Sequence, residues 1–148
     1  MNVFIFSFNF NPVSVKAADQ KIAQLNSELS TQKIIQKHCD SYRLCRKVIE
    51  DCKSAKDPKA YRTKHQAEYH LHDSLKKELQ NLGVTKIPSS DKIKKRIENL
   101  ESEQTASVRE KQGLQEKQKL LNTIQQNFNV LLDAPEMQPL LSEKENTL

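Results

Sequence analysis

Apolar residues recur at three- and four-residue steps along most of this 148-residue chain, which is the spacing of an amphipathic helix. From residue 19 to 54 no Pro or Gly interrupts the pattern, and Ile22, Leu25 and Leu29 form a first stripe. A second stripe, one position out of phase, comprises Ile35, His38, Tyr42, Cys45, Ile49 and Cys52. The phase slip near Gln32 predicts a stutter or a break in an otherwise long helix.

A second helix is predicted over residues 58–82, with signals at both of its ends. Asp57 can cap the free N–H groups, and Pro58 suits the first helical position. Gly83 stands where a helix commonly ends in a left-handed residue. The expected buried face consists of Tyr61, His65, Tyr69 or His72, Leu75, Leu79 and Leu82.

The third predicted helix, residues 91–133, is the longest. Pro88 favours an extended linker before it, and Ser89 or Ser90 is its expected cap. Its inward stripe is apolar near both ends but polar in the middle, where it contains Gln104, Ser107, Lys111, Gln118 and Gln125. We therefore expect a helix that is packed at its two ends and exposed or bent in between.

Together these patterns predict an all-α fold, an elongated three-helix, coiled-coil-like arrangement with one long C-terminal helix. Helices over about 19–54, 58–82 and 91–133 form the domain, the first two antiparallel and the third folding back through the Pro88 linker. Phe residues alternate at positions 4, 6, 8 and 10, so residues 1–18 are expected to be poorly ordered or a short extended segment. Residues 134–148 are expected to form a flexible tail.

The composition supports a thin apolar seam instead of a thick core. Only 36% of residues are apolar and 5% aromatic, a content at which disorder is the competing interpretation. The net charge of +5 is concentrated early, with 19 Lys/Arg against 11 Asp/Glu in residues 1–100. A polyanion would meet that part of the chain most favourably. The wide spacing of Cys39, Cys45 and Cys52 excludes a C-x-x-C motif and fits a reducing cytoplasm.

Two basic clusters are the candidate DNA-binding residues. They comprise Lys37, Arg43, Arg46, Lys47, Lys92, Lys94, Lys95 and Arg96. Lysines at the start of a helix oppose the helix dipole, and an anionic partner would relieve that repulsion. A solvated basic surface with no partner is the alternative for either cluster.

The histidines do not predict a catalytic or metal centre. His70 and His72 would share one side of a strand, but on a helix they point about 200° apart. His65, Glu68 and His72 do share a helix face, and the preferred interpretation is half-buried histidines with Glu68 as a polar partner. With only two glycines a phosphate-cradling loop is excluded. We expect no catalytic residue, no metal, no cofactor and no small-molecule substrate.

A longer pattern covers residues 20–134. A Lys/Glu-rich helix precedes Asp57-Pro58-Lys59-Ala60-Tyr61-Arg62-Thr63-Lys64-His65-Gln66-Ala67-Glu68, followed by Leu82-Gly83-Val84-Thr85-Lys86-Ile87-Pro88-Ser89 and a helix closing in Asn127-Phe128-Asn129-Val130-Leu131-Leu132. This order resembles the C-terminal helical region of relaxases, the mobilization nucleases of conjugative and mobilizable elements in Gram-positive bacteria. The nicking domain of that family has no counterpart here.

The resemblance implies a non-catalytic helical module of DNA mobilization. Such a module would make protein–protein contacts with relaxosome-type proteins or non-specific DNA contacts, the latter through residues 33–96. The alternative is a homo-oligomeric coiled-coil scaffold, such as a homodimer, with no nucleic-acid role. Both hypotheses expect a cytoplasmic protein with no membrane partner.

Overall fold

The computed structural model describes residues 12–133, and these residues form helices joined by short turns, with no strand among them. The helices are α1 (Pro12–Asp51), α2 (Pro58–Lys64), α3 (Gln66–Asn81) and α4 (Ser90–Asp133), and a 3-10 turn, Cys52–Ser54, follows α1. The prediction of an all-α fold is confirmed. The expectations for the Phe-rich segment and for the tail after residue 133 lie outside the described residues.

The joint between α1 and α2 is built as the sequence predicts. Asp57 Oδ1 accepts hydrogen bonds from the backbone N–H groups of Lys59 and Ala60, both at 3.1 Å. Pro58 occupies the first turn, where its missing N–H leaves no hydrogen bond unmade. The cap contributes about 1 kcal/mol to a helix of only seven residues.

The predicted left-handed end of α3 is also confirmed. Gly83 has φ +80°, and its N–H donates to the carbonyl of Gln80 at 3.0 Å. The N–H of Val84 donates to the carbonyl of Leu79 at 2.9 Å, which completes a Schellman motif. At the next helix Ser89 is the cap, since its Oγ accepts from the N–H of Lys92 at 3.3 Å.

The chain divides into two compact units, and α1 and α4 contribute to both. The central unit is Ala23–Thr105, and the terminal unit combines the residues up to Ile22 with those from Ala106 onward. The core of the central unit contains Leu25, Leu29, Ile35, Cys39, Leu79, Ile93, Ile97 and Leu100, with Tyr42, Val84 and Ile87 packed against it. This core joins α1, α3 and α4, and it is as thin as the apolar content of the chain predicts.

The helix α1 is continuous at Gln32, so the phase slip is not a break. The phase slip marks the point beyond which α1 contacts α3 as well as α4. Beyond it, His38 Nε2 lies 3.3 Å from Glu78 Oε2, and the ring of Tyr42 stacks on His72 with centroids 4.6 Å apart. Because a second partner approaches from another side, the inward residues shift around the helix.

The direction of α4 differs from the predicted fold-back. Contacts of α1 with α4 pair Arg43 with Pro88, Lys33 with Glu101, and Asn26 with Gln104, so the two helices are antiparallel in the central unit. The contacts of His38 and Tyr42 make α3 antiparallel to α1 as well. The extended linker therefore makes the return, and α4 starts beside Arg43, eight residues before the end of α1.

Two helix boundaries differ from the prediction. The first helix begins at Pro12, seven residues earlier than expected, because Ala18 is buried and extends the stripe of Leu25 and Leu29 toward the N-terminus. The predicted second helix is divided at His65, whose φ −107° and ψ 26° are not helical. The ring of His65 packs on Tyr61 with centroids 4.4 Å apart.

In the terminal unit, the polar middle of α4 is partly covered and Ser107 is buried, whereas the sequence predicted a stretch that is exposed or bent. Ser107 is only 1% exposed, and Lys111 Nζ lies 2.5 Å from Asp19 Oδ1. Small and polar side chains fill the position where two long helices would otherwise need larger apolar residues. Further along α4, Leu120 and Leu131 are more than half exposed, so the apolar C-terminal end of the helix is the less covered one.

Replacing Ser107 with Ala is expected to stabilise the protein by about 1 kcal/mol, because a buried hydroxyl without a hydrogen bond is unfavourable and Ala is the better helix former. Urea unfolding followed by circular dichroism measures the change. Ser102→Ala, at an exposed position of the same helix, controls for helix propensity alone. Equal effects of the two substitutions would show that the buried hydroxyl carries no penalty.

Candidate nucleic-acid interface

Five of the eight sequence-predicted cations are exposed lysines. No carboxylate of the described residues lies within 4 Å of their ammonium groups. They are Lys37, Lys47, Lys92, Lys94 and Lys95. Their charges are therefore available to an external anion.

The three arginines of the prediction have intramolecular partners instead. Arg46 Nε donates to Glu50 Oε1 at 2.9 Å, one turn along α1. Arg96 donates to Glu28, which links α4 to α1, and Arg43 donates to Asp40 and to the carbonyl of Pro88. Arg43 and Arg96 thereby connect α1 with the start of α4, whereas the pair of Arg46 with Glu50 lies within α1.

The fold of the central unit brings the two predicted clusters toward one another. Arg43 on α1 contacts Pro88, which immediately precedes α4, so the first turn of α4 lies beside the C-terminal part of α1. The α1–α2 joint follows Asp51, eight residues beyond Arg43 along the chain. We call this region the basic end, and its exposed lysines are Lys47, Lys53, Lys56, Lys59, Lys64, Lys92, Lys94 and Lys95.

Four of these lysines, Lys53, Lys56, Lys59 and Lys64, were absent from the sequence prediction. Residues 53–64 contain five Lys/Arg and a single carboxylate, Asp57. These lysines lie within residues 33–96, for which DNA contacts are predicted, and the local count of charges is the signal that identifies them. Asp57 accepts hydrogen bonds from two backbone N–H groups at the start of α2, so its carboxylate already has partners within the chain.

Most other carboxylates at the basic end are also engaged. Asp40 accepts from Arg43 at 2.9 Å, Glu50 from Arg46, and Glu68 contacts His65 Nδ1 at 3.1 Å. The hydrogen bond from His65 is the main cause that lowers the pKa of Glu68 and keeps this carboxyl ionised. The local excess of positive charge therefore rests on lysines that have no ion pair within residues 12–133.

Aromatic and sulfur side chains form the packing beneath this end. The guanidinium of Arg62 lies 5.0 Å from the ring centroid of Tyr69, a cation–π contact. A hydrogen bond with Cys52, together with burial, raises the pKa of Tyr69. The prediction that the tyrosines are seam residues agrees with their half-buried positions.

Two of the three cysteines are small buried side chains of the helix packing. Cys39 is fully buried in the core, and burial raises the pKa of its thiol. Burial likewise raises the pKa of Cys45. Cys52 differs, because its Sγ donates to the carbonyl of Pro58 at 3.6 Å and so ties the end of α1 to the start of α2.

The histidine motifs are arranged for packing. Residues 70–72 are helical, so His70 is exposed near Gln66 while His72 stacks on Tyr42. His65 contacts Glu68, and within residues 12–133 no three His, Cys, Asp or Glu side chains are grouped to hold a metal ion. The described part of the chain also contains no helix long and apolar enough to span a bilayer.

Comparisons of the chain with protein-family models, curated proteins and solved structures found no significant match. The resemblance to the C-terminal region of relaxases therefore remains a prediction from the sequence.

Proposed function

We propose that the central unit is a non-catalytic, polyanion-binding helical module that contacts nucleic acid phosphates through the basic end. The proposal is carried by eight exposed lysines on α1, the joint, α2 and the first turns of α4, with which no carboxylate of the described residues forms an ion pair. The contact of Arg43 with Pro88 places the start of α4 beside α1. The resemblance to relaxase C-terminal regions makes DNA mobilization the proposed context. Contact with partner proteins of a relaxosome is the corresponding protein–protein role.

The distribution of charge supports binding in the central unit. Residues 23–105 contain 17 Lys/Arg and 12 Asp/Glu, a surplus of five, which equals the net charge of the whole chain. Like charges held close together at the basic end repel one another, and an approaching chain of phosphates reduces that repulsion. Lys92, Lys94 and Lys95 add to the effect because they lie in the first turns of α4, where the helix dipole is also positive.

Such a surface recognises phosphates and not base sequence. Lysine ammonium groups are point charges without the paired donors that read base edges in a groove. We therefore expect similar affinities for duplexes of unrelated sequence, with binding driven by the release of counterions.

Binding of a fluorescein-labelled 20-base-pair duplex, measured by anisotropy, tests the proposal. If three or four lysines contact phosphates, the logarithm of the affinity should fall with that of salt at a slope of about −3, a loss of about sixtyfold from 50 to 200 mM. An unlabelled duplex of scrambled sequence should compete equally well. Affinity that is independent of salt would exclude this mode.

A homo-oligomeric scaffold is the second candidate, and one observation favours it. Leu120, Ile124 and Leu131 recur at four- and seven-residue spacing on α4, and they are 61%, 42% and 59% exposed. A second copy could cover this face in the manner of a coiled coil. Sedimentation velocity over a hundredfold range of protein concentration, without DNA, distinguishes the two, since a scaffold should associate as concentration rises.

A further inference from the structure

The start of α4 is attached to α1 through one side chain. Arg43 Nη2 donates to the carbonyl oxygen of Pro88, and Arg43 Nη1 donates to Asp40 Oδ1 at 2.9 Å. The two Nη atoms of the guanidinium therefore bind two different partners. Asp40 is three residues from Arg43 in the sequence, and Pro88 is 45 residues from it. The planar fork of an arginine suits this double contact, whereas a lysine ammonium does not reproduce it.

The carbonyl oxygen of Pro88 is well placed to accept the hydrogen bond from Arg43. The hydrogen-bond ladder of α4 begins one residue later, where the N–H of Ile93 donates to the carbonyl of Ser89 at 3.2 Å. Pro88 also has no N–H of its own, so this residue cannot be fixed by donating to a neighbour. Ile87 and Val84 pack against the core on the same linker, and Arg43 supplies the polar contact that completes its attachment.

The position of this attachment connects the two groups of lysines at the basic end. Arg43 lies one turn before Lys47 on α1, and Pro88 lies four residues before Lys92. The contact therefore sets the separation between the lysines of the first turns of α4 and those of the α1–α2 joint. A phosphate backbone has regular spacing, so a surface that contacts it at several points benefits from a fixed separation.

We infer that Arg43 is a positioning residue for the basic end, holding the start of α4 in place so that both groups of lysines meet one polyanion together. This inference rests on the proposed function and deepens it. The sequence predicted that Arg43 contacts phosphates directly. The inference gives it an indirect role instead, in which Arg43 positions Lys92 and Lys95. The same assignment does not extend to Arg46, whose partner Glu50 lies on its own helix.

Arg43→Lys tests the inference, with Arg46→Lys as the matched control, because both substitutions keep the charge. Arg43→Lys should weaken binding of the 20-base-pair duplex at 50 mM salt by about fivefold, and Arg46→Lys by less than about twofold. In the absence of DNA, Arg43→Lys should also accelerate hydrogen exchange at the amides of residues 93–97. Asp40→Asn keeps the contact with Pro88, so its exchange at these amides should resemble that of the wild type.

The possible outcomes separate the inference from its premise. If Arg43→Lys binds as tightly as the wild type while Arg43→Gln does not, Arg43 contributes only charge, and the positioning role is wrong. Unchanged exchange at residues 93–97 in Arg43→Lys also overturns it. If the wild type itself does not bind the duplex at 50 mM salt, the proposed function fails and with it the role in binding, while the exchange measurement still decides whether Arg43 holds the linker.

Discussion

Replacing Leu100 with Ala should destabilise the central unit by about 2–5 kcal/mol, since the leucine is 1% exposed and its removal leaves a cavity that helices can close only in part. A domain of this size has a total stability of about 5–15 kcal/mol, so the loss is a large fraction of the whole. Urea unfolding monitored by circular dichroism at 222 nm measures the change as a lower midpoint with a similar slope.

The reason for this large effect lies in the small number of residues that form the core. Eight buried side chains hold α1, α3 and α4 together, and the ion pairs between α1 and α4 are exposed. Exposed ion pairs contribute about 0–1 kcal/mol each, so they cannot replace a buried leucine. Burial of the seam decides the stability of the unit.

Leu44→Ala is the matched control, because Leu44 belongs to the same unit but is 70% exposed. Its substitution should change the free energy of unfolding by less than about 0.5 kcal/mol. If Leu100→Ala proved no more harmful than Leu44→Ala, the packing of α4 against α1 would not be the source of stability.

Local signals in the sequence predicted the parts of the fold that depend on local chemistry. Asp57, Gly83 and Ser89 each act through hydrogen bonds or backbone angles within a few residues, and all three are found where the sequence placed them. The three- and four-residue spacing of apolar residues likewise predicted the helices themselves. The break at His65 had no such signal, because neither Pro nor Gly stands within six residues of it; its ring packs on Tyr61, four residues earlier.

Features that depend on which helices meet were not predictable from a single stripe. The direction of α4 is set by contacts such as Lys33 with Glu101, which are distant in sequence. Burial of Ser107 follows from the approach of two helices and contradicts its polarity. Cys39, fully buried, was missed as a core position because the predicted stripe passed through His38 instead.

The candidate site shows the same division. Clusters of basic residues are visible in the sequence, but which of them are paired is decided by the fold. Arg96 has the same charge as Lys95, yet only Arg96 reaches a carboxylate of α1. Which lysines remain without an ion pair among the described residues is likewise decided by the fold and not by a local pattern.

Replacing Lys53, Lys56, Lys59 and Lys64 with Gln should cause the largest loss of DNA affinity. If two of the four contact phosphates, the salt slope falls by about 1.8, and because affinities converge near 1 M salt, the loss at 50 mM is about two hundredfold. Anisotropy titrations of the 20-base-pair duplex at several salt concentrations measure both quantities. The backbone N–H groups that donate to Asp57 remain, so the cap of α2 is preserved.

A second variant with four other lysines changed to Gln provides the control for net charge. Lys16, Lys21, Lys117 and Lys119 are exposed in the terminal unit, and their replacement removes the same four charges. Long-range attraction alone would weaken both variants equally, whereas direct contact at the basic end predicts a large loss and a reduced salt slope only in the first. Equal slopes in the two variants would therefore contradict a phosphate-binding basic end, because counterion release depends on where the charges meet the phosphates.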